Sequence, residues 1–371
     1  MPQAPFICYD LRIEPLSPIH IGSGVTLEPM EYDLEENHSG CWMIVFDLPA
    51  MLRSLTGPER TEFDRIADKG DYPGLRTWVR RIGRQKSECR RFVVQVQEPA
   101  FKLLRTHQDD PERLGEIELM TRHADTGVPF VPGSSIKGAI RTALVDHALG
   151  EMRPERRPRG EKNGPAFEAK VLGHVRDGGR PDLYKDPLRQ LAISDCMLSP
   201  GDCYIDRIQI INRRAQDDRR SADASGIQMH RDVTWSMLDG ESIAARGSCR
   251  ITTGLSGRGR QGAPLVADRI DLDRVIEACN AFYRPRLKDE LDRFPIPEEG
   301  GEDLLKWVEE MGADQCLVRL GRHSHFECVT VSEPYARPPR RGVGASRSRV
   351  DGRLPLGWAK VRFSMSEPGA Q

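Results

Sequence analysis

The chain has 371 residues, of which 38% are hydrophobic and 30% charged, a composition that excludes membrane and low-complexity proteins and fits a polar globular one. Its 55 basic residues balance 56 acidic ones, so the net charge of −1 neither favours nor excludes a nucleic-acid partner. The chain start lacks the pattern of a signal peptide, and no apolar run approaches the ~20 residues of a membrane span. We therefore expect a cytoplasmic protein without membrane contact.

The nine cysteines are scattered, odd in number and never spaced as CxxC. Disulfides and zinc sites need paired or clustered cysteines, so buried free thiols are expected. No cofactor is predicted.

The chain opens with an alternating stretch, residues 6–14, which predicts a β-strand. A turn-rich loop, Pro15–Gly24, follows and holds His20 between two isoleucines. An imidazole at this place can serve as a general acid or base. No carboxylate or second histidine lies at a recognisable spacing from His20, so a half-buried structural histidine is the favoured interpretation.

A helix with one apolar face is predicted after the proline-punctuated segment that ends at Pro132. Apolar residues recur there at every fourth position, which places them on one side of a helix. These residues are Ile136, Ile140, Leu144 and Ala148.

The start of this helix has the features of an anion site. Ser134 or Ser135 can cap the helix, and Gly133 adds no side-chain bulk over the turn. The free amides and positive dipole end of a helix N-terminus can hold a phosphate. Lys137 and Arg141 lie four residues apart, so they share a face and can contact successive phosphates.

The glycines of this stretch do not form a known nucleotide motif. Gly133 and Gly138 have the separation of a P-loop, but Lys137 precedes the second glycine instead of following it. The GxGxxG fingerprint of dinucleotide-binding proteins is also missing. Gly138 lets another backbone approach closely. A capped amphipathic helix with solvated cations remains the alternative interpretation.

The second half restarts a strand-rich pattern after residues 150–181, which carry proline and charge but few apolar residues and are interpreted as a linker. We place a domain boundary there, which gives domains over residues 1–180 and 181–371. Strands are predicted over 190–198 and 204–212 as a hairpin, and a long helix over 271–291. Arginines at 213, 214, 219 and 220 form a basic loop after the hairpin.

Two histidines, His323 and His325, lie two residues apart near the end of the chain. On a strand they would point the same way and could ligate a metal, but a third ligand is not evident nearby. A turn formed by Gly321, Arg322 and His323 that contacts phosphate or base is favoured, and no metal site is predicted.

Three stretches together resemble the RAMP superfamily of CRISPR proteins. They are the loop Pro15–Gly24, the segment Val131–Thr142 with its sequence Pro-Gly-Ser-Ser-Ile-Lys-Gly, and the pair Leu-Gly-Arg-His-Ser at 320–324 and Leu-Pro-Leu-Gly-Trp at 354–358. The motif order, the length and the Leu-Gly-Trp ending are most similar to the Csm-type subunit at the head of type III-A effector complexes. That subunit caps the 3′ side of the guide RNA.

The resemblance implies an α+β fold with two ferredoxin-like (RRM-like) βαββαβ modules and insertions. It also implies a non-catalytic subunit that binds the crRNA backbone, and possible target RNA, beside RAMP backbone subunits and small helical subunits. It implies a part in crRNA maturation and antiviral defence. The family's RNA-binding segments fall on Gly22, Ser23, Gly24, Gly133, Ser134, Ser135, Lys137, Gly138, Arg141, Gly321, Arg322 and His323.

Two other functions stay open. Some RAMP proteins are ribonucleases that process the guide, and here His20 would be the acid or base, with Lys137 or Arg141 stabilising the phosphorane charge. A purely architectural subunit that contacts only proteins is the third possibility. The low aromatic content of 6% makes base stacking an improbable main mode of RNA binding.

Overall fold

The computed structural model describes residues 6–108, 115–153, 155, 157–158, 164–176, 178–212, 229–253, 266, 269–296, 300–332 and 346–366. The predicted basic loop at residues 213–220 lies outside these ranges.

The strands are β1 (Phe6–Pro15), β2 (Gly22–Leu27), β3 (Tyr32–Asn37), β4 (Gly40–Phe46), β5 (Arg90–Val96), β6 (Ile117–Met120), β7 (Phe130–Val131), β8 (Leu191–Ile193), β9 (Cys196–Met197), β10 (Cys203–Asn212), β11 (Met229–Thr234), β12 (Ala245–Thr252), β13 (Gln315–Arg319), β14 (Ser346–Val350), β15 (Leu354–Pro355) and β16 (Trp358–Met365).

The helices of the described chain connect and cover these strands. They are α1 (Leu48–Arg53), α2 (Gly57–Asp68), α3 (Tyr72–Gln85), α4 (Glu98–Gln108), α5 (Gly133–Glu151), α6 (Gly164–Val171), α7 (Leu272–Arg293), α8 (Gly300–Glu309) and α9 (His325–Val329). None of the helices described is long and apolar enough to cross a membrane.

The first sheet is antiparallel throughout, with strand order β13–β16–β1–β12–β9–β7 and β8 also paired to β12. Helices α5, α7 and α8 cover it. Its core includes the predicted apolar face of α5, namely Ile136, Ile140 and Leu144, so that prediction is confirmed. Period-four apolar residues bury one side of a helix on a sheet, and that burial fixes where α5 lies.

The second sheet has strand order β2–β6–β11–β10–β5–β4–β3, with β14 paired to β10 and β15 paired to β14. It is mixed, because β5 lies parallel to β10 and β6 lies parallel to β11. Helix α4 packs on this sheet, while α1 to α3 form a separate small core with β4. The protein is therefore a mixed helix and strand fold with antiparallel pairing dominant, as the α+β prediction requires.

Both sheets combine strands from the two sides of residue 180. The first sheet joins β1 to β12 and β16, and the second joins β5 to β10. The division into sheets thus does not coincide with the predicted division at residue 180, which stays a prediction. The linker interpretation of residues 150–181 is wrong for Gly164–Val171, which form α6 against α5.

The predicted hairpin of residues 190–198 and 204–212 is wrong. Strands β8 and β9 pair with β12 in the first sheet, whereas β10 pairs with β11 and β14 in the second. The tight turn between them, where the Asp202 amide donates to the Ser199 carbonyl at 3.0 Å, carries the chain from one sheet to the other. A turn signal in the sequence does not distinguish a hairpin within one sheet from a crossing between two sheets.

Candidate functional site

The loop between β1 and β2 crosses from the first sheet to the second and holds together segments far apart in sequence. The Gly357 amide donates to the Pro18 carbonyl at 2.8 Å, and the Arg322 amide donates to the His20 carbonyl at 3.3 Å. The Leu320 amide in turn donates to the Gly357 carbonyl at 2.8 Å. Three motifs identified in the sequence are therefore neighbours in space.

Glycine is required where these backbones meet. Gly321 has φ +90°, and a Cβ there would lie 2.1 Å from the carbonyl oxygen of His20. Gly357 has φ +94°, and its Cβ would lie 2.4 Å from the carbonyl oxygen of Leu320. Any side chain at either position would both strain the backbone and separate the segments.

A groove of about 580 Å³ opens beside this junction. It is lined by β2, the middle of β6, one side of α5 and the segment around Gly321. Six of the predicted RNA-binding residues line it, namely Gly22, Gly24, Ser135, Gly138, Gly321 and Arg322. The structure thus brings together one part of each motif.

The groove offers backbone with little side-chain cover. Gly24 and Gly138 have no atom within 4 Å of the position that a Cβ would take, so both face open space. Val25 and Val329, which are 46% and 57% exposed, add apolar surface to the lining. A surface with glycines, one helix and few bulky groups can admit a polymer backbone closely.

Charge at the groove is arranged around Glu118. Its carboxylate accepts from Arg231 and, at 2.9 Å, from Arg322. Arg231 is buried and its Nε has no hydrogen-bond partner among the described residues, whereas the Arg322 side chain is 64% exposed. The two guanidinium groups against one carboxylate leave this end of the groove with a surplus of positive charge.

His20 lies beneath the groove and not in it. Its side chain is buried, and Nδ1 is 2.7 Å from the carbonyl oxygen of Asp232. Since that carbonyl can only accept, Nδ1 carries the proton. Within the described part of the chain Nε2 lacks a hydrogen-bond partner, and it lies 3.8 Å from Glu118. Burial lowers the pKa of His20, which keeps the ring neutral. The histidine is more buried than the half-buried position predicted.

The start of α5 is occupied by the chain itself. The Gly133 amide donates to the Asp195 carboxylate at 2.8 Å, and a Cβ at Gly133 would lie 2.3 Å from the Ile193 carbonyl oxygen. The prediction that Ser134 or Ser135 caps the helix is wrong, because Pro132 is the N-cap residue and no side-chain cap forms. A carboxylate from a distant loop takes the place predicted for a phosphate.

The two cations of α5 are also directed to the chain itself. Lys137 Nζ donates to the Leu191 carbonyl at 2.6 Å. Arg141 donates to Glu168 at 2.6 Å and to Asp186 at 2.9 Å. Burial lowers the pKa of Lys137. RNA contact by Lys137 and Arg141 stays a prediction, and this pairing gives it no support.

The remaining predicted residues lie beside the groove. Ser23 donates to the Leu119 carbonyl at 3.2 Å, and Ser134 is exposed in the first turn of α5. His323 is half-buried with its ring 6.3 Å from that of His20. Burial and nearby Arg231 lower the pKa of His323 to about 3. In the part of the chain that is described, no three His, Cys, Asp or Glu side chains group as metal ligands.

Sequence reasoning missed Arg231 and Glu118. Arg231 lies in β11, where three successive polar residues, His230, Arg231 and Asp232, are all buried. A run of three charged or titratable residues in a strand is unusual for a buried element. That run was the available signal for Arg231. Its partner Glu118 lies in the parallel neighbouring strand β6, and no local sequence pattern connects Glu118 to Arg231.

Comparison with models of known protein families gives one match. Residues 12–196, about half of the chain, match the family model described as the RAMP superfamily. The chain belongs to the RAMP superfamily. The matched region contains the Pro15–Gly24 loop and all of α5, which carry two of the three sequence motifs that meet at the groove.

Solved structures share the fold of this RAMP protein over nearly its whole length. A chain of a cryo-EM structure of a Csm–crRNA–target RNA ternary complex in a type III-A CRISPR-Cas system has a TM-score of 0.66 and 17% identity; the match covers 96% of this chain and 100% of that one. The crystal structure of T. onnurineus Csm5 has a TM-score of 0.62 and 17% identity, with 94% and 99% covered. A search of curated protein sequences finds no match.

Proposed function

We propose that this RAMP protein is a non-catalytic, crRNA-binding subunit of a type III-A CRISPR (Csm) complex. The observation that carries the proposal is the groove, in which three glycine-containing segments distant in sequence present open backbone beside Arg322. A ribose-phosphate strand needs backbone donors and positive charge but no base-specific contacts. The shared fold with a chain of a crRNA-bound Csm complex supports the same conclusion.

Within such a complex, the chain would cap the 3′ side of the guide beside RAMP backbone subunits and small helical subunits. Target RNA would then pass close to this subunit. The presence of the subunit would support crRNA maturation and antiviral defence in the cytoplasm. The full-length likeness to T. onnurineus Csm5 supports this position among the Csm subunits. The burial and neutral state of His20 support a binding role in place of a ribonuclease role.

We also propose that the first sheet is a ferredoxin-like module. Its strands β16, β1, β12 and β8 lie side by side in that order and are antiparallel. Helix α5 lies between β1 and β8 in the chain, and α7 lies between β12 and β16. This is the connectivity of a βαββαβ unit with β13 added at its edge. The second module predicted from the resemblance would lie in the second sheet.

The groove is tested by a substitution at Gly138. A Cβ there meets no atom within 4 Å, so Gly138→Glu projects a carboxylate into the groove without disturbing α5, whose helix propensity it increases. Gly150→Glu is the matched control, because Gly150 is in the same helix and equally open but does not line the groove. We expect Gly138→Glu to weaken binding of single-stranded RNA at least tenfold, about 1.4 kcal/mol, and to flatten its salt dependence.

Filter-binding titrations of the purified chain at several salt concentrations give both quantities. Equal affinities for the two variants would remove the groove from the RNA-binding surface. The RNA recovered from these mixtures is expected to be intact. Cleavage by the parent chain that is lost in His20→Ala would favour the ribonuclease alternative.

A further inference from the structure

A second cavity, of about 860 Å³, lies between the second sheet and α8. Strands β10 and β14, the segment after β11 and the first turns of α8 contribute to its wall. It shares no lining residue with the groove, so its role is independent of the RNA-binding proposal.

Aromatic rings form one part of the cavity wall. The Tyr204 and Trp235 rings lie 4.1 Å apart between centroids and are tilted by 31°. Trp307 of α8 also lines the cavity and is half-buried. Such faces attract flat cations that can stack on them.

Carboxylates form the other part. The described part of the cavity wall carries four aspartates, Asp206, Asp239, Asp303 and Asp351, and one cationic side chain, Arg353. Asp239 is satisfied by hydroxyl donors, since it accepts from Ser236 at 2.6 Å and from Tyr204 at 3.2 Å. Asp351 accepts from Arg207 at 2.9 Å.

Asp206 lacks comparable partners. It is 5% exposed, and one oxygen accepts from the backbone amide of Arg207 at 2.7 Å. Among the described residues its second oxygen has no hydrogen bond or ion pair, although the residue lines the cavity. Burial, together with the nearby charges of Asp351 and Asp239, raises the pKa of Asp206 to about 7. A cation placed against this carboxylate would stabilise its charged form.

We propose that this cavity binds the guanidinium group of an arginine. A guanidinium is planar and can stack on Trp235 or Trp307 while its N–H groups donate to Asp206. The arginine can belong to a neighbouring polypeptide or be the free amino acid, because both present the same group. A lysine ammonium carries the charge but not the flat, forked donor set.

The test is calorimetric titration of the full chain with N-acetylarginine amide, which resembles an arginine within a polypeptide. We expect saturable binding that is at least about tenfold weaker for N-acetyllysine amide and for the Asp206→Asn variant. Asp68→Asn, which removes one exposed negative charge on α2, is the matched control and is expected to bind like the parent. Trp307→Leu, which keeps apolar bulk but removes the ring, is expected to weaken binding as well.

The source of the arginine is read from a parallel titration with free arginine. Equal or tighter binding of the capped form assigns the cavity to a polypeptide side chain, and binding of free arginine alone assigns it to the amino acid. The proposal is overturned if neither ligand gives saturable heat, or if Asp206→Asn and Trp307→Leu, with melting temperatures showing that they are folded, both bind like the parent.

Discussion

The buried carboxyl group of Asp206 makes the stability of the fold depend on pH. Asp206 is buried with no ion-pair partner among the residues that the structure describes, and its pKa is raised from 3.8 to about 7. An acid whose pKa is higher in the folded state loses its proton first in the unfolded chain. Its contribution to stability therefore falls as the pH rises from about 4 to about 7, and it stays low above that pH.

The Asp206→Asn variant is predicted to be more stable than the parent at pH 7.5. The amide removes the ionisation, so the gain is near zero at pH 4 and grows to at most roughly 4 kcal/mol above pH 7. Urea unfolding from pH 4 to pH 8, compared with Asp68→Asn, measures this difference. A gain that does not change with pH, or a loss at neutral pH, would contradict the account of Asp206.

Glu118 shows what cannot be inferred residue by residue from the sequence. It bridges Arg231 and Arg322, which lie more than one hundred residues further along the chain. Arg322 was identified because it follows a glycine in a recognisable turn. Arg231 and Glu118 have no such signal, since their meeting depends on the parallel pairing of β6 with β11.

At the level of elements, α5 presents two polar surfaces with different partners. Ser135, Gly138 and Thr142 line the groove. Lys137 and Arg141 lie on another side and bind the Leu191 carbonyl and the carboxylates of α6 and the segment before β8. The helix thus meets the groove with its small residues, and its basic residues hold neighbouring elements in place.

The double variant Lys137→Ala with Arg141→Ala separates these roles. Because Arg141 is paired with Glu168 and Asp186, we expect a loss of roughly 1–3 kcal/mol in the free energy of unfolding. RNA affinity at fixed salt is expected to stay within about threefold of the parent. Denaturant unfolding and RNA titration of the same samples measure both. A large loss of RNA affinity with unchanged stability would return these two cations to the RNA-binding surface.

The sequence predicted α5 well but not its surroundings. Period-four apolar residues place its buried face, and nothing outside the helix is needed for that inference. The partner of its first amide was not predictable, because the Gly133 amide donates to Asp195, which lies in a loop of the first sheet. The predicted hairpin failed for a related reason: β9 and β10 are joined by a turn, yet β9 pairs with β12 in the first sheet and β10 pairs with β11 and β14 in the second.

Across the whole molecule, the RNA-binding groove depends on chain crossings between the two sheets. The Pro15–Gly24 loop, α5 and the Gly321 turn were each identified from the sequence, since glycine and proline mark backbone constraints. That they line one groove could not be predicted, because hydrogen bonds between residues such as Pro18 and Gly357 span almost the entire chain.

The central claim is that this groove holds a ribose-phosphate strand, and photo-cross-linking with 4-thiouridine RNA tests it most directly. Cross-linked peptides of the intact chain are identified by mass spectrometry. We predict cross-links within residues 21–27, 135–142 and 320–329, all of which Gly138→Glu reduces and Gly150→Glu does not. Cross-links confined to other surfaces, and unaffected by Gly138→Glu, would contradict it.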